Sequence, residues 1–274
     1  MNARVLDAGG DGETTVVLAH GYGGSSHIWD DVAPALAKKF RVVVFDWSFS
    51  GDVIVDDDDV VSEEMSCSYF GFADELVAMM DKLALREVVF VGHSMAGMIG
   101  CIASVARPEL FGRLVLVGAS PRYINDDGDG YVGGFERSEV DAMLAAIEAD
   151  FAAWAPLFAE AVVGPAPGAH PSAVAKFAKQ LGRMRPGAAL RVMRVVLTCD
   201  VRGVLRDVAA PCTIVHCARD AVAPLAVALY MQRAMARGGA PAPAVVVMES
   251  SGHFPQLTAP MEFVRVMEDI LLDH

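Results

Sequence analysis

Ser94, Asp220 and His253 lie far apart in the chain, yet together they offer a hydroxyl, a carboxylate and an imidazole. In that combination the imidazole takes the hydroxyl proton, and the carboxylate fixes its tautomer and stabilises the imidazolium. The chemistry is acyl transfer through a serine adduct. Ser94 sits in VFVGHSMAGM, where a β-rich run stops at Gly92 and small residues follow at once. A serine between strand and helix stands on a strained turn, and the helix N-terminus favours developing negative charge. The fifth motif position is Ala96 where glycine is usual, an addition of one methyl group. Asp220 follows the run PCTIVHC, and His253 follows AVVVMES. Asp200 is a rival acid, but it closes a helical stretch and follows no strand. A third apolar run, TVVLA, leads into His20-Gly21-Tyr22-Gly23, a loop in which His20 is expected to organise hydrogen bonds. The Tyr22 and Met95 N–H groups are the candidate oxyanion donors, each worth about 3–4 kcal/mol of transition-state stabilisation.

The elements that must position these groups can be read from periodicity. Strands are expected at Thr15–Ala19, Arg41–Asp46, Glu87–Gly92, Arg113–Gly118, Pro211–Cys217 and Ala244–Glu249. They are continuous apolar runs without alternation, the pattern of parallel strands covered by helices on both faces. Helices are expected at Asp30–Lys39, Tyr69–Leu85, Met95–Ala106 and Leu225–Arg237, with a closing helix from Met261. Between about Arg137 and Asp200 only helical patterns occur, divided by Gly- and Pro-rich breaks. The expectation is one α/β domain with a mostly parallel central sheet, its core formed by 1–135 and 201–274 and interrupted by a helical insert at 136–200. With the chain order Ser, Asp, His, this is the layout of the α/β-hydrolase fold.

Bulk properties narrow the function. The chain has 274 residues, 54% of them hydrophobic, and a formal net charge of −13, which disfavours nucleic acid as a partner. The run Asp56–Asp59 reads as a solvated turn, since no spaced ligand series accompanies it to hold a metal. Five cysteines without a C-x-x-C suit a reducing compartment, and Cys101, Cys212 and Cys217 read as small core residues. The N-terminus lacks a long apolar stretch, and no run approaches membrane-spanning length. A soluble intracellular monomer without metal or organic cofactor is expected.

Longer segments carry a resemblance. HGYGGSSHIWDDV, GHSMAGMIG, RPELFGRLVLVGASPRYIND, GGFE, AWAPLFA, MRP, D-x-RGVL and GHFPQLTAP occur along nearly the whole chain. With them the chain resembles the plant strigolactone and karrikin receptors, which are α/β-hydrolases, and their bacterial relative that regulates a stress-response phosphatase. The resemblance implies four helices forming a V-shaped lid. It implies a ligand pocket lined by Tyr22, His93, Phe135, Trp154 and Phe158, with Met143, Val196 and Leu197. It further implies a small apolar butenolide-like ligand, a histidine adduct after cleavage, an F-box protein and a transcriptional repressor as partners, and residence in cytoplasm and nucleus. Tyr22 stands in place of a usual Phe, and Phe158 where the strigolactone receptors generally carry Tyr. Two alternatives stay open: a general small-ester carboxylesterase without a signalling role, and a ligand-binding module with little or no turnover. Haloperoxidase-like or lyase chemistry on the same fold is a more distant alternative.

Overall fold

The computed structural model describes residues 1–6, 14–51, 67–164, 171–238 and 241–272; the Asp56–Asp59 run lies outside them. Among the described residues seven strands form one sheet: β1 (Asn2–Leu6), β2 (Thr15–Ala19), β3 (Arg41–Asp46), β4 (Val88–His93), β5 (Phe111–Val117), β6 (Cys212–Arg219) and β7 (Ala244–Ser251). Their spatial order is β1-β3-β2-β4-β5-β6-β7. Every neighbouring pair is parallel except β1 with β3. The central strands are sealed: Val16–Ala19, Val42–Phe45 and Leu114–Val117 are fully buried. Burying one such Val or Leu contributes about 1.5–3 kcal/mol, so these runs dominate the core.

Sheet and helices share their contacts unevenly. Helix α1 (Ala33–Leu36) is a single turn, and α2 (Tyr69–Lys82) is closed by Ala84 in a left-handed conformation (φ 52°). The expected helix over Asp30–Lys39 shrinks to α1 because Val32, at its N-cap, has no side-chain oxygen to cap it. Helix α3 (Met95–Ala106) packs on β4 and β5 and is buried almost throughout.

Among the described residues four helices fill the span after β5: α4 (Arg137–Ala149), α5 (Phe151–Val163), α6 (Pro171–Leu181) and α7 (Pro186–Thr198). Helix α4 packs on α7, and α5 on α6. A 3₁₀ helix (Arg202–Asp207) leads into β6, and α8 (Leu225–Ala236) packs on both that helix and β6. The chain closes with α9 (Pro255–Thr258) and α10 (Pro260–Leu272). Among the described residues no helix is long and apolar enough to cross a membrane. All five cysteines are free thiols.

Candidate active site

Ser94 caps α3 with φ 57° and ψ −126°, a conformation that costs a non-glycine residue of order 1–3 kcal/mol. The turn is held by packing: a Cβ on Gly92 would lie 2.6 Å from the Cα and N of Gly97. Only a glycine allows that strand-to-helix approach. Ala96, in contrast, is accommodated and fully buried.

The three side chains named from sequence meet. Ser94 Oγ lies 2.8 Å from His253 Nε2, and His253 Nδ1 lies 2.8 Å from Asp220 Oδ2. With Nδ1–H donated to the carboxylate, Nε2 is left to accept from the serine hydroxyl. The Asp220 side chain is 1% exposed and that of His253 5%. Burial raises the Asp220 pKa, but attraction to His253 and the hydrogen bonds from His253 and Val222 N–H outweigh it, so the net shift is downward. Its second oxygen accepts from Val222 N–H at 2.8 Å and Ala223 N–H at 3.1 Å. A register shift between Cys217 and Arg219 at the end of β6 turns the chain just before this residue.

His253 is also fixed through its backbone. Its N–H donates to Val162 O at the end of α5 at 2.9 Å, and its carbonyl accepts from His93 Nε2–H at 2.8 Å. His93 therefore stands behind the imidazole, their ring centroids 5.0 Å apart, and is fully buried. Burial, and then the proximity of His253, push the His93 pKa down to about 3, so the ring is neutral at physiological pH. Asp200 stands apart, exposed and paired with Arg122 at 2.5 Å and Arg202 at 2.7 Å.

A cavity of about 130 Å³ opens above Ser94. Tyr22, Phe135, Met143, Phe158, Val196 and Leu197 line it, as the resemblance leads one to expect. Two expected lining residues do not. His93 turns its ring to the His253 carbonyl, and Trp154 stacks on Phe158 at 4.6 Å. Tyr123, which periodicity and motif spacing did not single out, lines the cavity with its hydroxyl 3.4 Å from Ser94 Oγ. Burial raises its pKa, keeping the phenol protonated as a donor. It lies in a loop, where no spacing marks it. Tyr22 turns its hydroxyl to Ala189 O in α7, at 3.1 Å, so the polar atom that distinguishes it from Phe ties its loop to the lid.

The Tyr22 and Met95 amides have no hydrogen-bond partner among the described residues, which leaves both N–H groups available. His20 organises the Tyr22 loop as expected. Its Nδ1–H donates to Gly21 O at 2.8 Å, and its carbonyl accepts from Trp47 Nε1–H at 2.8 Å. Among the described residues no Asp, Glu, Lys or Arg lines the cavity. The arrangement suits an uncharged, largely apolar molecule presenting one electrophilic carbonyl to Ser94.

Residues 16–266 match the model of the alpha/beta hydrolase family. A karrikin insensitive 2 receptor of Petunia hybrida is 36% identical over 97% of this chain and 93% of its own. A strigolactone esterase of Pisum sativum is 37% identical over 98% of each chain. Among solved structures, a hydrolase from Oleispira antarctica superposes with a TM-score of 0.88 at 26% identity, covering 99% of this chain and 94% of its own.

Proposed function

The chain belongs to the alpha/beta hydrolase family, in the group that holds the strigolactone esterases and karrikin receptors, and we propose that it is a serine hydrolase-receptor for a small butenolide-type ligand. The carrying observation is the continuous hydrogen-bonded path from Ser94 through His253 to Asp220 beneath an uncharged cavity. In the proposed reaction Ser94 Oγ attacks the ester-like carbonyl carbon while His253 Nε2 takes its proton. The developing oxyanion is met by the N–H groups of Tyr22 and Met95. Collapse of the tetrahedral species breaks the lactone C–O bond; the freed hemiacetal oxygen then becomes an aldehyde C=O as the enol leaving group departs, and His253 supplies the proton that group takes up. A water activated by the same imidazole then releases the acyl group from Ser94. Asp220 keeps the ring in the correct tautomer throughout.

The signalling part of the proposal, ligand-dependent capture of an F-box protein and a transcriptional repressor in cytoplasm and nucleus, rests on the family resemblance of the sequence motifs. The test is hydrolysis of a fluorogenic butenolide by the wild type and Ser94→Ala, with melting temperature recorded against ligand. Ser94→Ala is expected to lose at least about a thousandfold in rate while still shifting Tm with ligand. Equal hydrolysis by both proteins overturns the mechanism. A ligand-induced Tm shift with turnover in neither protein identifies a binding module. Broad turnover of simple esters without ligand-dependent partner capture identifies an ordinary carboxylesterase.

A further inference from the structure

Away from the catalytic cavity, the 3₁₀ helix and α8 enclose a surface cleft of about 270 Å³. Four arginines and one acid, Asp129, line it: Arg202 and Arg206 come from the first element, Arg233 and Arg237 from the end of the second. Their convergence is unexpected in a chain of net charge −13, where acids are plentiful. Among the described residues only Arg202 is neutralised. It holds Asp129 and Asp200 at 2.7 Å and Asp126 at 3.1 Å, and lies 5.0 Å over the Tyr131 ring. Tyr131 in turn meets Tyr230 edge-on at 4.8 Å, which gives the cleft a rigid aromatic wall. Arg206, Arg233 and Arg237 are exposed and have no carboxylate partner among the described residues.

The helix dipole favours cations at the end of α8, which explains Arg233 and Arg237 singly. It does not explain why Arg206, from a different element, faces the same concavity. Like charges held together around a cleft raise the local potential and lower their own stability unless a counter-charge joins them. Guanidinium groups present donors in a planar fork that matches phosphate oxygens. A volume of about 270 Å³ leaves room for a compact anion.

From this convergence we infer that the cleft between the 3₁₀ helix and α8 is a binding site for a small polyanion carrying phosphate groups, of about diphosphate size, separate from the hydrolytic cavity. Arg206, Arg233 and Arg237 supply the charge, and Arg202 with Tyr131 and Tyr230 forms the fixed base. Arg202 also binds Asp200, directly after the helical insert, so an occupant lies beside the point where the lid rejoins the core.

The test uses the full chain with inorganic pyrophosphate, titrated calorimetrically at ionic strength matched with sodium chloride, beside a thermal melt. The wild type is expected to bind saturably and gain several degrees in Tm. Arg206→Gln, Arg233→Gln and Arg237→Gln should each weaken binding about tenfold, with unliganded Tm and butenolide hydrolysis unchanged. Absence of saturable binding by the wild type overturns the inference. So does undiminished binding by the triple variant, or binding of a polyglutamate peptide with no response to pyrophosphate.

Discussion

On the sheet side of the catalytic cavity, Ser94, His253 and Asp220 hold one another at 2.8 Å, and each is buried or nearly so. On the lid side, Met143, Phe158, Val196 and Leu197 offer only van der Waals contact. The sheet side gains its precision from strand ends and backbone hydrogen bonds, so small displacements there are costly. The lid side gains selectivity from shape, where one methyl or hydroxyl changes affinity by modest factors. The same cavity thus couples a reaction centre intolerant of change to a wall that can vary.

That contrast can be broken most sharply at Asp220. Asp220→Asn keeps the size but loses the charge that fixes the His253 tautomer, and should lower kcat about 10⁴-fold with little change in KM. A loss under tenfold in steady-state hydrolysis would show that the sheet side is no more exacting than the lid. Acid should reveal the same side in stability. The folded pKa of His93, about 3, lies below its ordinary value of 6.5, so the unfolded chain binds that proton first. Its contribution is complete above about pH 6.5 and declines at about 1.4 kcal/mol per pH unit as pH falls towards 3. Asp220, also shifted downward, adds its own loss only at lower pH, as its carboxylate is protonated. Urea titrations at pH 7, 5 and 4 measure this, and a flat profile between pH 6 and 4 would contradict a buried neutral His93. Gly92→Ala should cost about 1–3 kcal/mol and lower Tm by several degrees, because its methyl would meet the Gly97 backbone at 2.6 Å. The smallest effect is expected on the lid side: Phe158→Tyr should move KM by less than about tenfold and leave kcat nearly unchanged. A collapse of kcat in that variant would place Phe158 with the reaction centre.

The two sides were also unequally legible in the sequence. Ser94 announces itself because a strained strand-to-helix turn demands a local pattern of small residues, and Asp220 and His253 follow apolar strands long enough to recognise. Strand β1 was invisible: its residues are mostly exposed at the sheet edge, so NARVL carries no buried run. His93 was expected at the pocket wall, but it ends β4 with its ring turned to the His253 carbonyl, a direction that type and spacing do not encode. Trp154 and Phe158 are one helical turn apart in α5, and periodicity places both on one face without saying which is nearer the cavity. Tyr123 depends wholly on tertiary placement, since it reaches Ser94 from an irregular segment.

The bond from His253 N–H to Val162 O has a mechanical consequence. The proton acceptor of the reaction is moored at one end to the roof over the cavity, and at the other to the buried ring that ends the central strand β4. Fraying the last turn of that roof helix would cut the upper mooring while leaving the lower intact. Entry of a bulky guest and idling of the chemistry would then be a single event, transmitted through one residue.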